Sequence, residues 1–486
     1  MSHESLPTII QGGLGAGVSG WRLAHAVSRA GQLGVVSGTA LDVILARRLQ
    51  LGDPGGHTRR ALDHFPIGGV AQRVLDRYFI PGGKPEDEPF KPNPSPAVQP
   101  SRHLEELLVA GNFVEVFLAK EGHPFPVGIN YLEKIQLPTL PSLFGAMLAG
   151  VSWVLMGAGI PRTIPGVLDR LADGRPVELR LNVIGADRGE EFFTRFDPEA
   201  FFGGNAPRLA RPDFLAIISS ATLANMLVKK STGRVDGFVV EGHTAGGHNA
   251  PPRGRMQLTR DGQPIYGDRD LPDLAAIRAL GLPFWLAGSY GEPKRVVEAI
   301  GAGAAGVQVG TAFAYCEESD LEVDLKQRVL AASRAGRAEV FTDAVASPTG
   351  FPFKVVQLEG TLSEDSVYEQ RSRVCDLAYL RHAFKKANGA IGWRCPAEPV
   401  ADYVRKGGDE NDTCRRKCIC NALMANIGLG QQLLRGGERE MPLITSGDDV
   451  ADVARFLKAG DRSYSALDVI EYLLSGVKQP HDAARV

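Results

Sequence analysis

Cysteine is scarce. Six in 486 residues cannot staple a chain of this length, so no disulfide framework is expected and the anticipated compartment is the reducing cytoplasm. An excess of positive charge is also missing, since 54 basic residues face 56 acidic ones for a net charge of −2. No sequence-wide field exists to hold a polyanion, and neither a nucleic-acid nor a membrane partner is expected. Long apolar runs are absent too. The one stretch that invites a membrane reading, Leu143 to Ile160, is interrupted by Gly145, Gly150, Ser152, Gly157 and Gly159. It reads as a helix ending near Gly150 followed by a buried strand from Val151 to Met156. Met1 to Ser5 lacks the charged-then-apolar order of a secretory leader. No Gly-x-Gly-x-x-Gly fingerprint opens a strand-helix unit, which argues against a separate Rossmann domain.

What the chain does have is an ordinary globular composition, 44% hydrophobic and 23% charged, and a repeated strand-then-helix rhythm. Strands are expected at Thr8 to Gln11, Leu33 to Ser37, Val127 to Tyr131, Val151 to Met156, Phe214 to Ser219, Gly237 to Glu241, Pro283 to Ala287 and Gly306 to Gly310. These near-continuous apolar runs need cover on both faces, as in a parallel sheet, and eight of them fit a closed α/β barrel of the (β/α)8 TIM type. A doubly wound open sheet is the second choice. Val177 to Ile184 is a ninth strand-like run, and residues 177 to 212 are taken as an excursion, a hairpin for instance, before the fifth strand. Residues 41 to 125 form an insertion after the second strand. Within it, residues 81 to 101 carry seven prolines and read as a surface arm. The division expected is a barrel over 1–345 and a mainly helical C-terminal region over 346–486, with helices at Glu369 to Asn388 and Ala466 to Leu474.

In parallel barrels ligands sit at the carboxyl ends of the strands, and the informative motifs fall there. Gln11-Gly12-Gly13-Leu14-Gly15 follows the first strand, and Asn130 closes the third run. The sixth strand runs into His243-Thr244-Ala245-Gly246-Gly247-His248, the seventh into Gly288-Ser289 and the eighth into Gly310-Thr311. Either of the last two turns alone is explained by tight strand-to-helix geometry. Adjacent and in this order, they point to backbone amides gathered for a phosphate. His248 supplies a base that titrates near neutrality. His243 is secondary, a capping or solvated histidine being an equal reading, and Glu241 stands where it could pair with either ring. Cys395, Cys414, Cys418 and Cys420 are candidates for a metal set, although their spacing matches no common zinc or iron-sulfur pattern. Buried structural thiols are the preferred reading.

Together the glycine turn after Ile9 to Gln11, Gly128-Ile129-Asn130, Ala245-Gly246-Gly247-His248, Ala287-Gly288-Ser289 and Gly306 to Thr311 resemble the nitronate monooxygenase family, formerly 2-nitropropane dioxygenase, which includes FMN-dependent enoyl reductases. The resemblance spans roughly residues 7 to 315. It implies an FMN-binding barrel in which Gly13 and Leu14 lie against the flavin ring, and Asn130 bonds the ring edge or ribityl chain. It further implies that Gly246 and Gly247 pass close to the cofactor, that Gly288, Ser289, Gly310 and Thr311 hold its phosphate, and that His248 is the catalytic base. Three departures from the family pattern stand out: Gly13-Leu14 replaces a common Pro-Met, Thr244 a usual Glu, and Ser289 a frequent second glycine. The activity implied is oxidation of nitronates or nitroalkanes by oxygen. A weaker likeness to the enoyl reductase subunits of polyunsaturated fatty acid synthases, through Thr349 to Phe353 and the C-terminal appendage, implies an alternative, an enoyl-thioester reductase using NAD(P)H. A flavin-holding, non-catalytic component of a larger assembly is a third. In each case the partner is a small molecule, and a homodimer is compatible with the sequence.

Overall fold

The computed structural model describes residues 6–433 and 437–477. Met1 to Ser5, weighed above as a leader, and the last residues of the expected C-terminal region lie outside the described residues. Eight strands make one parallel sheet: β1 (Ile9–Gln11), β2 (Gly34–Ser37), β3 (Val127–Leu132), β4 (Trp153–Gly157), β5 (Asp213–Ile218), β6 (Gly237–Glu241), β7 (Phe284–Ala287) and β8 (Gly306–Val309). From β2 onward each pairs with the next in sequence, and β8 pairs with β1. The circle closes between β1 and β2, where Leu33 N–H donates to Ile9 O at 3.1 Å and Gln11 N–H to Leu33 O at 2.9 Å. The Gln11 side chain reinforces the seam by accepting from Val35 N–H at 3.0 Å. A closed barrel, not the open sheet, is therefore what the eight apolar runs build.

Both strand faces are buried, which is why the runs are apolar almost throughout. One alternate set, with Ile10, Leu33, Val35, Leu155, Leu215, Val239 and Trp285, packs the interior. Trp285 is completely buried, donates its indole N–H to Pro7 O at 2.8 Å and meets Trp153 edge to face. With its interior filled, the barrel has room for a ligand only on its rim. The other set packs against the surrounding helices in the main core.

Between β2 and β3 lie helices Leu41–Gln50, His57–Asp63 and Val70–Tyr78, the proline arm, and helix Arg102–Lys120. The last returns the chain to β3, and its N-terminus is capped by Ser101 Oγ accepting from Leu104 N–H at 3.3 Å. The arm is tied down where Phe90 N–H donates to Gln431 Oε1 at 2.8 Å. The Leu143 to Ile160 stretch divides into helix Thr139–Leu148 and β4. No helix among the described residues is long and apolar enough to cross a membrane. The ninth run stays outside the barrel: Val177–Leu181 pairs antiparallel with Phe192–Phe196, and Val183–Ile184 pairs with His382–Lys385.

Beyond β8 the chain mixes hairpins with short helices. Val340–Asp343 pairs with Phe353–Val356 across the expected boundary at 345, and His382–Lys385 pairs with Ile391–Arg394. The helix expected at Glu369 to Asn388 is not formed as such. A short helix ends at Gln370, and the rest is irregular before the second hairpin. Helix Ala466–Leu474 is present, held by a reciprocal Ser465–Asp468 cap in which Asp468 N–H donates to Ser465 Oγ at 3.1 Å. Met424, Ile444, Val450 and Leu473 join the main core, so the C-terminal residues pack directly on the barrel.

Candidate active site at the barrel rim

One cavity of about 890 Å3, open mouth included, lies over the carboxyl ends of β1, β6, β7 and β8. Of the sequence-derived candidates, Gly13, Leu14, Gly246, Gly247, Gly288, Ser289, Gly310 and Thr311 all line it. Asn130 stands just behind, so close that a Cβ on Gly13 would lie 2.5 Å from Asn130 Cβ. That crowding leaves no room for a side chain at position 13 unless Asn130 moves. Ser289 has φ +56°, a left-handed conformation that favours glycine and that costs a side-chain residue roughly 1–2 kcal/mol.

The near wall comes from residues that carry no sequence motif. Ile444 to Gly447, Asp449 and Asn426 reach the cavity from the C-terminal region. The strap is sewn on by Gly447 N–H donating to Thr311 Oγ1 at 3.0 Å, Asp448 N–H to Thr244 O at 3.1 Å and Gly247 N–H to Thr445 Oγ1 at 3.0 Å. Only the turn-like run Thr445-Ser446-Gly447-Asp448-Asp449 could have flagged it. Buried side-chain oxygens with no hydrogen-bond partner among the described residues include Asn130 Oδ1 and Gln308 Oε1 at the ends of β3 and β8, and Asn426 Oδ1 in the cavity wall. Buried polar atoms are normally paired, so the Asn130 and Gln308 oxygens at the strand ends are candidates for a ligand donor.

The two histidines do not meet there. His248 is absent from the cavity lining, because its loop is drawn onto the Phe353 hairpin by Lys354 N–H to Gly247 O at 3.0 Å and Asn249 N–H to Pro352 O at 2.9 Å. Its ring packs 4.7 Å from Phe353, and Nε2 lies 2.7 Å from Ser347 Oγ. Burial lowers its pKa to about 4, so the ring is neutral at pH 7. His243 stacks flat on Tyr266 at 4.5 Å in a side cavity shared with Glu241, Arg253 and Asp270. Glu241 makes no ion pair with either imidazole among the described residues, contrary to the pairing weighed from sequence. Instead it lines both the rim cavity and the side cavity, and burial pushes its pKa up to about 8. Asp449, whose pKa burial also raises, accepts from Gly291 N–H at 3.2 Å.

The cysteines are regrouped. Cys375, Cys395, Cys418 and Cys420 surround a small pocket, while Cys414 is exposed and takes no part. Burial raises all four of these thiols. Among the described residues no group of three or more His, Cys, Asp or Glu is arranged to hold a metal ion. Desolvation outweighs the cations that act on these thiols, Arg381 at Cys375 and Arg371 at Cys418.

Residues 196–346 match the family model described as nitronate monooxygenase. The matched segment covers less than half of the chain. It includes β5 to β8, the Ala-Gly-Gly-His element and both glycine turns, whereas Gly13, Leu14 and Asn130 lie before it. Within the curated relatives, a probable nitronate monooxygenase of Bacillus subtilis is 35% identical over 117 residues, covering 24% of this chain. The matched stretch spans 32% of that relative's length. Among solved structures, FabK from Thermotoga maritima aligns with a TM-score of 0.49 at 15% identity over 99% of this chain and 96% of that one. A nitroalkane oxidase from Streptomyces ansochromogenes aligns at 0.46 and 15%, over 98% and 97%.

Proposed function

We propose that the protein is an FMN-dependent oxidoreductase of the nitronate monooxygenase kind, oxidising small nitroalkanes or their nitronates with oxygen. The observation that carries this reading is a single rim cavity into which the glycine turns after β1, β6, β7 and β8 all open, backed by the unpartnered Asn130 Oδ1 and Gln308 Oε1. The redox chemistry is what FMN supplies when bound. Gly288, Ser289, Gly310 and Thr311 would hold the phosphate, with Ser446 and Gly447 of the strap beside them. Gly13 and Leu14 would floor the ring, Gly246 and Gly247 would pass alongside, and the two orphan oxygens would accept from the ring-edge N–H.

Two groups can handle the substrate proton. His248 is the base implied by family likeness, but acting there requires its Ser347 bond to break and the ring to turn toward the cavity. Glu241 already faces the cavity with a pKa near the operating pH, as efficient proton transfer requires. The geometry therefore favours Glu241, with His248 bracing the loop that presents Gly246 and Gly247.

The absorption spectrum of the purified protein is the first test. A flavin spectrum, or its appearance on adding FMN, with oxygen uptake on 2-nitropropane nitronate is the expected result. A colourless protein that refuses FMN ends the proposal. Anaerobic bleaching by NADPH, with no turnover of nitronates, would replace it with the enoyl-thioester reductase.

A further inference from the structure

A second cavity, of about 970 Å3 with its opening, lies on the other side of the same rim and shares no lining residue with the first. Its walls come from the loop after β3, the strand at Val183–Ile184, the proline arm at Pro96 and the Ala378 to Trp393 segment. Three of its lining residues are basic, Lys134, Arg381 and His382, and none is Asp or Glu.

Neither Lys134 nor Arg381 has a carboxylate partner among the described residues. Arg381 is fixed by donating Nε to Ala378 O at 3.1 Å and Nη2 to Pro96 O at 2.8 Å, and its guanidinium lies 5.7 Å from the Trp393 ring centroid. Glu398, which acts on Arg381 at longer range, is committed to Lys406 at 2.6 Å. Lys134 lies 5.6 Å over the Phe351 ring, and the adjoining carboxyl, Glu133, is held up by burial. Burial first, and then the charges of Arg416, Lys134 and Arg394, depress the pKa of His382, so the neighbourhood is electropositive. Beside these cations the wall is apolar: Leu137, Leu181, Ile184 and Leu380. Ile184 is 51% exposed, an aliphatic surface left open to whatever enters.

We propose that this cavity binds an amphiphilic anion, a small molecule with one carboxylate or phosphate head and an apolar chain. The head sits between Lys134 and Arg381, and the chain runs along Leu137, Leu181 and Ile184. Cations without carboxylate partners give charge-assisted recognition of the head, while the chain removes aliphatic wall from water. The site does not depend on what fills the first cavity. Thr349 also lines it, and its Oγ1 lies 2.7 Å from Ser347 Oγ, the hydroxyl bound to His248.

Isothermal titration of the full chain with decanoate, decyl phosphate and decyltrimethylammonium tests this. Binding of decanoate or decyl phosphate, weakened at least tenfold by Lys134→Met and by Arg381→Gln, is expected, and the better of the two anions identifies the head. The exposed Lys134 makes no ion pair, so Lys134→Met should melt like the parent and keep the test valid if Arg381→Gln folds poorly. No binding of either anion, equal binding of the cation, or indifference to Lys134→Met would overturn the proposal. A titration repeated with added FMN should give the same affinity, which separates this site from the flavin reading.

Discussion

Gly13 and Asn130 share one volume: a Cβ on the glycine would stand 2.5 Å from the asparagine Cβ and 3.2 Å from its Nδ2. The first and third strand ends are thereby locked together at the point where Asn130 Oδ1 is left unpartnered. Gly13→Ala must push Asn130 aside. FMN affinity should fall at least tenfold in titrations followed by flavin fluorescence. Asn130→Ala, which deletes one hydrogen bond, should weaken FMN by about 1 kcal/mol without lowering the melting temperature. FMN binding unchanged in both variants would remove Asn130 from the cofactor site.

The strap responds to a different glycine. A Cβ on Gly246 would lie 2.7 Å from Gly447 N and from Ser446 C, backbone atoms that cannot rotate away. Gly246→Ala should cost about 1–3 kcal/mol through overpacking and loosen residues 444–449. Faster proteolysis within that strap, with the barrel core still resistant, is the expected pattern, together with weaker FMN binding.

Residues at the strand ends were legible in the sequence because chain order itself places them: consecutive parallel strands bring their following turns to one rim. All eight strands follow from that logic, as does the placing of eight of the nine candidate residues along the rim cavity. The strap was not legible, since Thr445 to Asp449 reaches the cavity only through tertiary packing, and nothing local distinguishes it from an ordinary turn. The position of His248 was not legible for a related reason. Sequence places it after the glycines but cannot show that the Phe353 hairpin captures its loop. The hairpin that replaces the expected helix at 369–388 did leave a signal, Asn388-Gly389, with Gly389 at φ +81° and Gly389 N–H donating to Lys386 O at 2.9 Å. That dipeptide favours a hairpin turn.

Glu241 gives a pH test. Its neighbours are His243, Tyr266, Arg253 and Asp270 on the side-cavity face and Asp449 on the rim face. With a folded pKa raised from 4.5 to about 8 by burial, it stays protonated in the folded protein over a range where the unfolded chain ionises. The folded state is therefore progressively destabilised as pH rises from about 4.5 to 8, and the loss levels off above. Glu241→Gln should abolish that decline in denaturant midpoints measured between pH 5 and 8.5. If Glu241 is the base, parent activity should rise through pH 8, and Glu241→Gln should lower kcat by at least a hundredfold with FMN still bound.

His248 has the opposite dependence. Its folded pKa is lowered from 6.5 to about 4 by burial, so the unfolded chain takes up a proton first as pH falls. The stability associated with the neutral ring is complete above pH 6.5 and is lost between 6.5 and 4, by at most about 3 kcal/mol at about 1.4 kcal/mol per unit. His248→Asn should flatten this acid limb. Ser347→Ala should remove the hydroxyl 2.7 Å from Nε2 and free the ring to turn. A bracing histidine predicts that His248→Asn weakens FMN and stability while kcat on the FMN-saturated enzyme falls less than tenfold. Loss of turnover with FMN affinity intact, together with higher activity in Ser347→Ala, would instead show that the ring swings into the cavity and that His248 is the base.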